Sequence, residues 1–451
     1  MFYFLFFLSG LSALIYEVGW QKILTLNLGS SAESLAVILS AFMGGLSFGS
    51  YFWGRYADRK ILKRPLLLFS FLEFGIGFLG IISIFILFNS HSWHIGAFYV
   101  FLASFLMGGT FPVIVKSYLL ISSSNSNLHK SIGLFYSLNT WGGVIGAIAT
   151  GYFLIRYFGI KGSIWFASGI NLAVAIIAFI KSRKVKEASN NQKRCKESEV
   201  PKRHLTIIFA VFLAGFSSFT YEVCWTRTLS MIIGSTTYAF TLMLCAFLTG
   251  IAIGSYFFSI IPPAFYLTPS TLFGFSQLGI GITSLFLLQI FGLLPFLFIS
   301  FYRNFSSNFT IFQISQFFLT LIPMLIPTTL MGFAFPLAIK IYHKNNSGVG
   351  SSIGNIYASN TMGCILGAIS TSLFLIPEIG LQNSIILATF LNIGVGLLYA
   401  LPKKLLSFSI ASIYFILALS FFPQWDKKII TMGIFRDVNM IPEQARKREI
   451  K

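Results

Sequence analysis

Charged side chains are scarce in this sequence of 451 residues. Asp, Glu, Lys and Arg together make up 10% of it, whereas hydrophobic residues make up 55%. The mean hydropathy is +0.80, and apolar runs of about 18 residues or more recur along the chain. Soluble globular domains have about a quarter charged residues and lack such runs. The composition therefore excludes a soluble domain and predicts a polytopic helical membrane protein.

Acidic residues are the scarcest charged type, with 13 Asp and Glu against 32 Lys and Arg. The net charge of +19 would indicate a nucleic-acid partner if the basic residues formed a stripe on a soluble domain. They lie instead in short loops between apolar runs, so we predict a lipid bilayer and no nucleic acid as partner. Because basic loops collect on the cytoplasmic side, their distribution predicts a cytoplasmic N-terminus. We expect a bacterial inner membrane.

Cysteine is also rare, and the four cysteines show no CxxC spacing. This spacing excludes a zinc site and a disulfide framework, and we predict no metal. The segment Gly75 to Gly80 spells GxGxxG, but it lies inside an apolar run with no strand before it. A dinucleotide-binding loop needs that strand, so we predict no cofactor.

A long stretch of the sequence is written twice. Gly10 to Phe52 recurs without a gap at Gly215 to Phe257, which indicates an internal duplication. The matched core is Tyr16-Glu17-Val18-x-Trp20, which falls on Tyr221-Glu222-Val223-x-Trp225. Later matches pair Phe111-Pro112, Tyr136, Asn139 and Gly142 with Phe335-Pro336, Tyr357, Asn360 and Gly363.

Each copy contains six predicted membrane helices, so both copies cross the bilayer in the same sense and are parallel repeats. This architecture resembles the major facilitator fold. We predict an all-α polytopic protein with two six-helix repeats and a thirteenth helix, whose crossing would leave the tail extracytoplasmic. The predicted units are the first repeat at 1–180, a basic linker at 181–203, the second repeat at 204–401, the extra helix at 402–422 and a polar tail at 423–451.

Two acidic residues, Glu17 and Glu222, occupy matched positions inside predicted spans. A carboxylate there costs about 2.5–3.5 kcal/mol on insertion scales. Two interpretations remain open: a proton or cation site, or a structural pair between helices. With Tyr16, Trp20, Tyr221 and Trp225 nearby, the site would suit an organic cation, because aromatic rings can add cation–π contacts. A further acid, Glu73, has no evident counterpart in the second copy.

Small residues recur at i, i+4 and i+8 on matched helices, as in Ala41, Gly45 and Gly49 and in Ala246, Gly250 and Gly254. Such stripes let helix backbones approach closely in a membrane. They could serve as sliding surfaces for alternating access or as static packing. The sequence leaves both alternatives open.

The loop from Gly54 to Lys60 resembles the cytoplasmic signature loop of major facilitator transporters. The resemblance implies a conformational latch in which Asp58 caps or pairs with a neighbouring helix end, with Arg55 and Arg59 as further gating residues. The alternative is a basic anchor of the positive-inside kind. The matched loop of the second copy, at Ile261-Pro262-Pro263, carries no charge, so a latch would be one-sided.

The paired Tyr-Glu-Val-x-Trp elements, together with Leu28-Gly29-Ser30 and the loop from Gly54 to Arg59, resemble the membrane portion of the fused major-facilitator/spermidine synthase family. The resemblance implies a transporter-like module that binds or moves an organic cation such as a polyamine. That family's synthase domain has a Gly-rich loop and acidic residues that have no match here, so we expect no catalytic residues and no enzyme activity. The alternative function is a non-transporting anchor for a separately encoded synthase.

Overall fold

The computed structural model describes residues 1–28, 32–59, 64–89, 92–122, 128–184, 202–234, 236–261, 268–343, 348–400 and 425. Within these residues the chain is helical and contains no strand, which confirms the all-α prediction. The helices are α1 (Phe2–Leu28), α2 (Ala32–Ala57), α3 (Pro65–Asn89), α4 (Trp93–Ile121), α5 (Leu128–Ile148), α6 (Ile155–Lys184), α7 (Lys202–Ile233), α8 (Thr237–Ile260), α9 (Pro269–Phe305), α10 (Phe309–His343), α11 (Val349–Ser370) and α12 (Ile376–Ala400).

Nine helical segments of the described chain are long and apolar enough to cross a membrane. Two of them, Leu128–Arg183 and Val349–Ala400, each contain two consecutive helices. In both, the first helix runs through a short π-helical segment, and the chain then turns at a glycine with positive φ, Gly159 at 67° and Gly380 at 82°. Glycine adopts this conformation without the steric cost that a Cβ would add. The duplication therefore extends to the shape of this turn.

The packing of the helices follows the repeat. In the first half α1 packs on α5, α2 on α4 and α3 on α6, and in the second half α7 packs on α11, α8 on α10 and α9 on α12. The two halves meet where α2 packs against α11 and α5 against α8. This arrangement is a pseudo-two-fold pair of helix bundles, as expected for parallel repeats.

The small-residue stripes lie inside each half. A Cβ at Gly49 would overlap the carbonyl oxygen of Phe105 on α4, and one at Gly254 would overlap that of Thr329 on α10. The structure therefore shows the stripes as close contacts between helices of the same half. Further glycines make the same kind of close approach: Gly45 and Gly250 of these stripes, and, at the same spacing on α5 and α11, Gly142, Gly146, Gly363 and Gly367.

Several predicted segments lie outside the described residues. These are most of the linker at 181–203, the extra helix at 402–422 and the tail at 423–451 apart from Trp425. Their boundaries, and the cytoplasmic position of the N-terminus, stay predictions.

Candidate functional site

Two adjoining cavities lie between the halves. We call the end of the bundle at which α2 reaches Asp58 the Asp58 end. The near cavity, on that side, has a volume of about 270 Å³, and the far cavity, on the other side, has one of about 210 Å³. Six residues line both cavities and so mark the boundary between them: Glu17, Leu39, Phe42, Phe219, Glu222 and Leu244.

Glu17 on α1 and Glu222 on α7 face this shared boundary from the two halves. Both side chains are partly exposed to the cavities, and neither forms an ion pair or hydrogen bond within the described part of the chain. A carboxyl group in a low-dielectric space is stabilised by a cation or by a proton. The duplication therefore places two matched, uncompensated carboxyl groups at the centre of the molecule.

Three of the four aromatic residues predicted beside these acids point away from the cavities. The hydroxyl of Tyr16 donates to Oγ of Ser168 at 2.9 Å, and that of Tyr221 donates to Oγ1 of Thr389 at 3.1 Å. Trp225 is fully buried and stacks on Tyr221 with a centroid distance of 5.2 Å. This placement differs from the prediction because neighbours along a helix point about 100° apart, so Tyr16 and Tyr221 face the interior of their own halves.

Trp20 is the predicted aromatic that lines the far cavity. Its Nε1 donates to Oγ of Ser83 at 2.9 Å, which fixes the ring. Arg227 lines the same cavity, one to two turns beyond Glu222 on α7. The sequence analysis had not assigned Arg227 a role, and its guanidinium adds one positive charge to a cavity with two carboxyl groups.

Four aromatic rings line the near cavity on its Asp58 side. Phe111 and Tyr136 come from the first half, and Phe335 and Tyr357 come from the matched positions of the second. Tyr136 and Phe335 are in contact across the halves with centroids 4.6 Å apart, and Phe111 and Tyr357 lie 6.3 Å apart. The sequence shows that these four aromatic positions match between the two copies, but the match alone did not indicate that the rings line a cavity.

At the Asp58 end, the carboxylate of Asp58 accepts hydrogen bonds from the backbone N–H groups of Gly350 at 3.2 Å and Ser351 at 2.6 Å. These groups belong to the first turn of α11, where an acid satisfies free N–H groups and complements the helix dipole. Asp58 also pairs with Nζ of Lys116 at 3.2 Å. The structure thus places Asp58 at a helix end of the opposite half, as a latch requires.

The two arginines of the same loop differ in their contacts. Arg55 donates from Nη1 to Oδ1 of Asn355 on α11 at 2.6 Å and so also bridges the halves. Arg59 lies over the ring of Tyr56 at 5.6 Å, a contact within its own segment. Of the three predicted gating residues, the described contacts bring Asp58 and Arg55 to the second half.

A curated relative shares part of this sequence. It is named polyamine aminopropyltransferase, from Oceanobacillus iheyensis, and is 25% identical over 177 residues. The match covers 38% of this chain and 33% of the relative, so the chain spans about a third of that protein's length.

Solved structures of transporters share the fold. The human organic anion transporter MFSD10 (TETRAN) is 12% identical with a TM-score of 0.59, and the match covers 88% of this chain and 97% of that one. The E. coli fucose:proton symporter FucP is 13% identical with a TM-score of 0.57, covering 87% and 97%. The model of the Major Facilitator Superfamily matches residues 2–423. The chain is a membrane protein that belongs to the major facilitator superfamily.

Proposed function

We propose that the protein is a secondary transporter that carries a small organic cation between Glu17 and Glu222. The observation that carries the proposal is the position of these two matched carboxyl groups at the boundary of both cavities. A ligand held there contacts both halves at once. In parallel-repeat transporters the substrate site lies near the bilayer midplane at the interface of the repeats, and the cavities lined by both glutamates lie at that interface.

The chemistry of the lining supports a cation of modest size. The cavities of about 210 and 270 Å³ suit a small molecule. Two carboxyl groups attract positive charge, and the ring of Trp20 offers a cation–π surface at the far cavity. Arg227 opposes this attraction at one end of the far cavity, so the carboxyl groups attract a cation less strongly there.

A polyamine is the first cation to test. The support is the name of the partly matching relative, a polyamine aminopropyltransferase, together with the two carboxyl groups, which could bind two amines. The anchor alternative, in which the module only holds a synthase, needs no ligand between the halves. A binding measurement therefore separates the two.

The test measures thermal stabilisation of the purified full chain by putrescine and by spermidine. We expect Glu17→Gln and Glu222→Gln each to weaken binding about 10- to 100-fold, because a hydrogen bond to a charged group contributes about 1.5–3 kcal/mol. Glu378→Gln is the matched control, since Glu378 is an exposed acid at the start of α12. An unchanged response in both cavity variants, or an equal loss in the control, would contradict the assigned site.

A further inference from the structure

A third acid, Glu73 on α3, lies behind the wall of the near cavity. Its side chain has 0% exposure, and one carboxyl oxygen, Oε2, accepts a hydrogen bond from Nδ2 of Asn171 on α6. The other oxygen, Oε1, and Oδ1 of Asn171 have no hydrogen-bond partner among the described residues. A buried carboxylate with one oxygen unsatisfied is costly, so this position calls for an explanation beyond packing.

The second half has an amide at the position that matches the acid. Pro65 at the start of α3 corresponds to Pro269 at the start of α9, and at this spacing Glu73-x-Gly75-Ile76-Gly77 falls on Gln277-x-Gly279-Ile280-Gly281. Asn171 correspondingly falls on Asn392 of α12, because Gly159 and Gly380 mark equivalent turns. Glu73 therefore does have a counterpart, which corrects the expectation from the sequence.

Comparing the two halves shows which property the acid has that an amide at the matched position lacks. Gln277 and Asn392 are each buried to 1% exposure, so the position accommodates the neutral amide. Nδ2 of Asn392 donates to the hydroxyl of Tyr221 at 3.3 Å, so among the described residues the hydrogen bond from the asparagine to the residue on the facing helix is particular to the half that carries the acid. A protonated glutamic acid has nearly the shape of glutamine, and an amide would fill the space in either half. The property that glutamic acid has and glutamine lacks is exchange of a proton.

A polar route connects Glu73 to the near cavity. Asn171 and Ser9, which lie beside the carboxyl group, both line that cavity. The titratable side chain that interacts with Glu73 from a neighbouring helix is the phenol of Tyr16 on α1. No Lys, Arg or His of the described residues forms an ion pair with Glu73.

We propose that Glu73 and Asn171 form a proton-binding site that exchanges its proton with the near cavity. In the ionised state, the amide Nδ2–H of Asn171 donates to the carboxylate. When a hydronium ion in the cavity transfers a proton to a carboxyl oxygen and is left as neutral water, the new O–H bond donates to Oδ1 of Asn171, which has no other partner among the described residues. Asn171 thus offers a partner to both states of Glu73, and no other protein group gains or loses a proton.

This site would make the proton the driving ion, a consequence that rests on the proposed transport function. Binding of the proton itself does not depend on that function, and a measurement without substrate tests it. The measurement is the pH-dependent infrared difference spectrum of the purified full chain in lipid nanodiscs, in the region of the protonated carboxyl C=O stretch.

We expect a carboxyl band that appears on acidification in the wild type and is absent in Glu73→Gln. The band should persist in Glu17→Gln and Glu222→Gln, and it should shift in Asn171→Leu, which keeps the acid but removes its partner. Asn171→Leu also provides the test if Glu73→Gln does not fold. Identical spectra of wild type and Glu73→Gln at all pH values, or a Glu73 band that does not change with pH, would overturn the proposal.

A transport assay then tests the coupling separately. In proteoliposomes, Glu73→Gln should keep exchange of labelled spermidine across the membrane but lose its accumulation driven by a proton gradient. Accumulation at the wild-type level would overturn coupling through Glu73. Absence of both exchange and accumulation in the wild type would instead contradict the proposed cation transport and leave the infrared result standing.

Discussion

Arg227 is the residue whose charge most directly shapes the ligand that the site can hold. It lines the far cavity together with Glu17 and Glu222. At a separation of about 8 Å, a charge pair interacts by about 0.5–2 kcal/mol for dielectric constants between 80 and 20. We expect Arg227→Gln to raise the affinity for putrescine about 2- to 30-fold, measured by calorimetric titration.

The matched control for this variant is Lys22→Gln. Lys22 occupies the equivalent position in the first copy, and its side chain is not among those that line the two cavities. We expect its removal to leave the affinity unchanged. Weaker binding in Arg227→Gln would mean that the arginine contacts an anionic part of the ligand, and the cation assignment would be incorrect.

At the residue scale, sequence reasoning singled out two acids that line both cavities and grouped with them three aromatics that line neither. Glu17 and Glu222 could be found because charge is rare in membrane spans and the repeat marks both positions. Tyr16 and Tyr221 could not be placed, because their partners Ser168 and Thr389 lie on helices far along the chain. Adjacency in sequence puts consecutive side chains on different faces of a helix.

At the element scale, the contact of Asp58 with the first turn of α11 predicts how the Asp58 end opens. Asp58→Asn removes the ion pair with Lys116 and the charge on the cap, so the Asp58 end should separate more often. Cys364 lines the near cavity and is buried. In a variant with Cys364 as its single cysteine, we expect Asp58→Asn to speed labelling by a membrane-permeant maleimide severalfold.

Arg59→Gln serves as the control for the latch. Its contact is with Tyr56 of the same segment, so its loss should leave the labelling rate of Cys364 unchanged. Equal rates in wild type and Asp58→Asn would show that the cap does not hold this end closed.

The glycine stripes lead to a prediction about stability. In Gly49→Ala the new Cβ would overlap the carbonyl oxygen of Phe105, and overpacking of this kind typically costs about 1–3 kcal/mol. We expect a clearly lower thermal unfolding temperature in detergent. Gly169→Ala is the control, because no atom lies within 4 Å of a Cβ built there. Equal unfolding temperatures for the two variants would contradict the close-packing role.

The sequence predicts which segments form helices, but it does not predict where those helices are distorted. Apolar runs that end at short polar segments indicate α3 and α4, since length and hydropathy suffice for membrane spans. The π-helical segments before Gly159 and Gly380 depend on how neighbouring helices pack. Likewise, the stripes indicated close approach, but the sequence could not tell that the partner of Gly49 is α4 of the same half.

At the scale of the whole molecule, one described residue bears on the position of the tail. Nε1 of Trp425 donates to the carbonyl oxygen of Leu288 on α9 at 2.7 Å, whereas Ala400 at the end of α12 lies against Gly274. These two points on α9 are about 21 Å apart at 1.5 Å per residue. Ala400 and Trp425 therefore lie against opposite parts of α9, and the extracytoplasmic position of the tail stays a prediction.

Thiol labelling tests this topology. A single cysteine at Asn439 should react with a membrane-impermeant reagent in intact cells, and one at Ser407 should not. Protection of Asn439→Cys until the cells are opened would place the tail in the cytoplasm. That position would suit an anchor for a cytoplasmic synthase.

The duplication made the pseudo-two-fold architecture predictable from sequence, because matched helices fold alike. The pairing of halves was not predictable: that α2 meets α11 and α5 meets α8 follows from packing across the repeats, for which one sequence carries no signal. The cavities, and the aromatic rings of Phe111, Tyr136, Phe335 and Tyr357 beside them, exist only once that interface forms.

Uptake of labelled spermidine into proteoliposomes that contain the purified full chain tests the central claim most directly. We predict saturable uptake by the wild type, and uptake at the level of protein-free liposomes by a folded Glu17→Gln, Glu222→Gln double variant. Wild-type liposomes that take up no more spermidine or putrescine than protein-free ones, with the protein shown to be folded, would contradict cation transport.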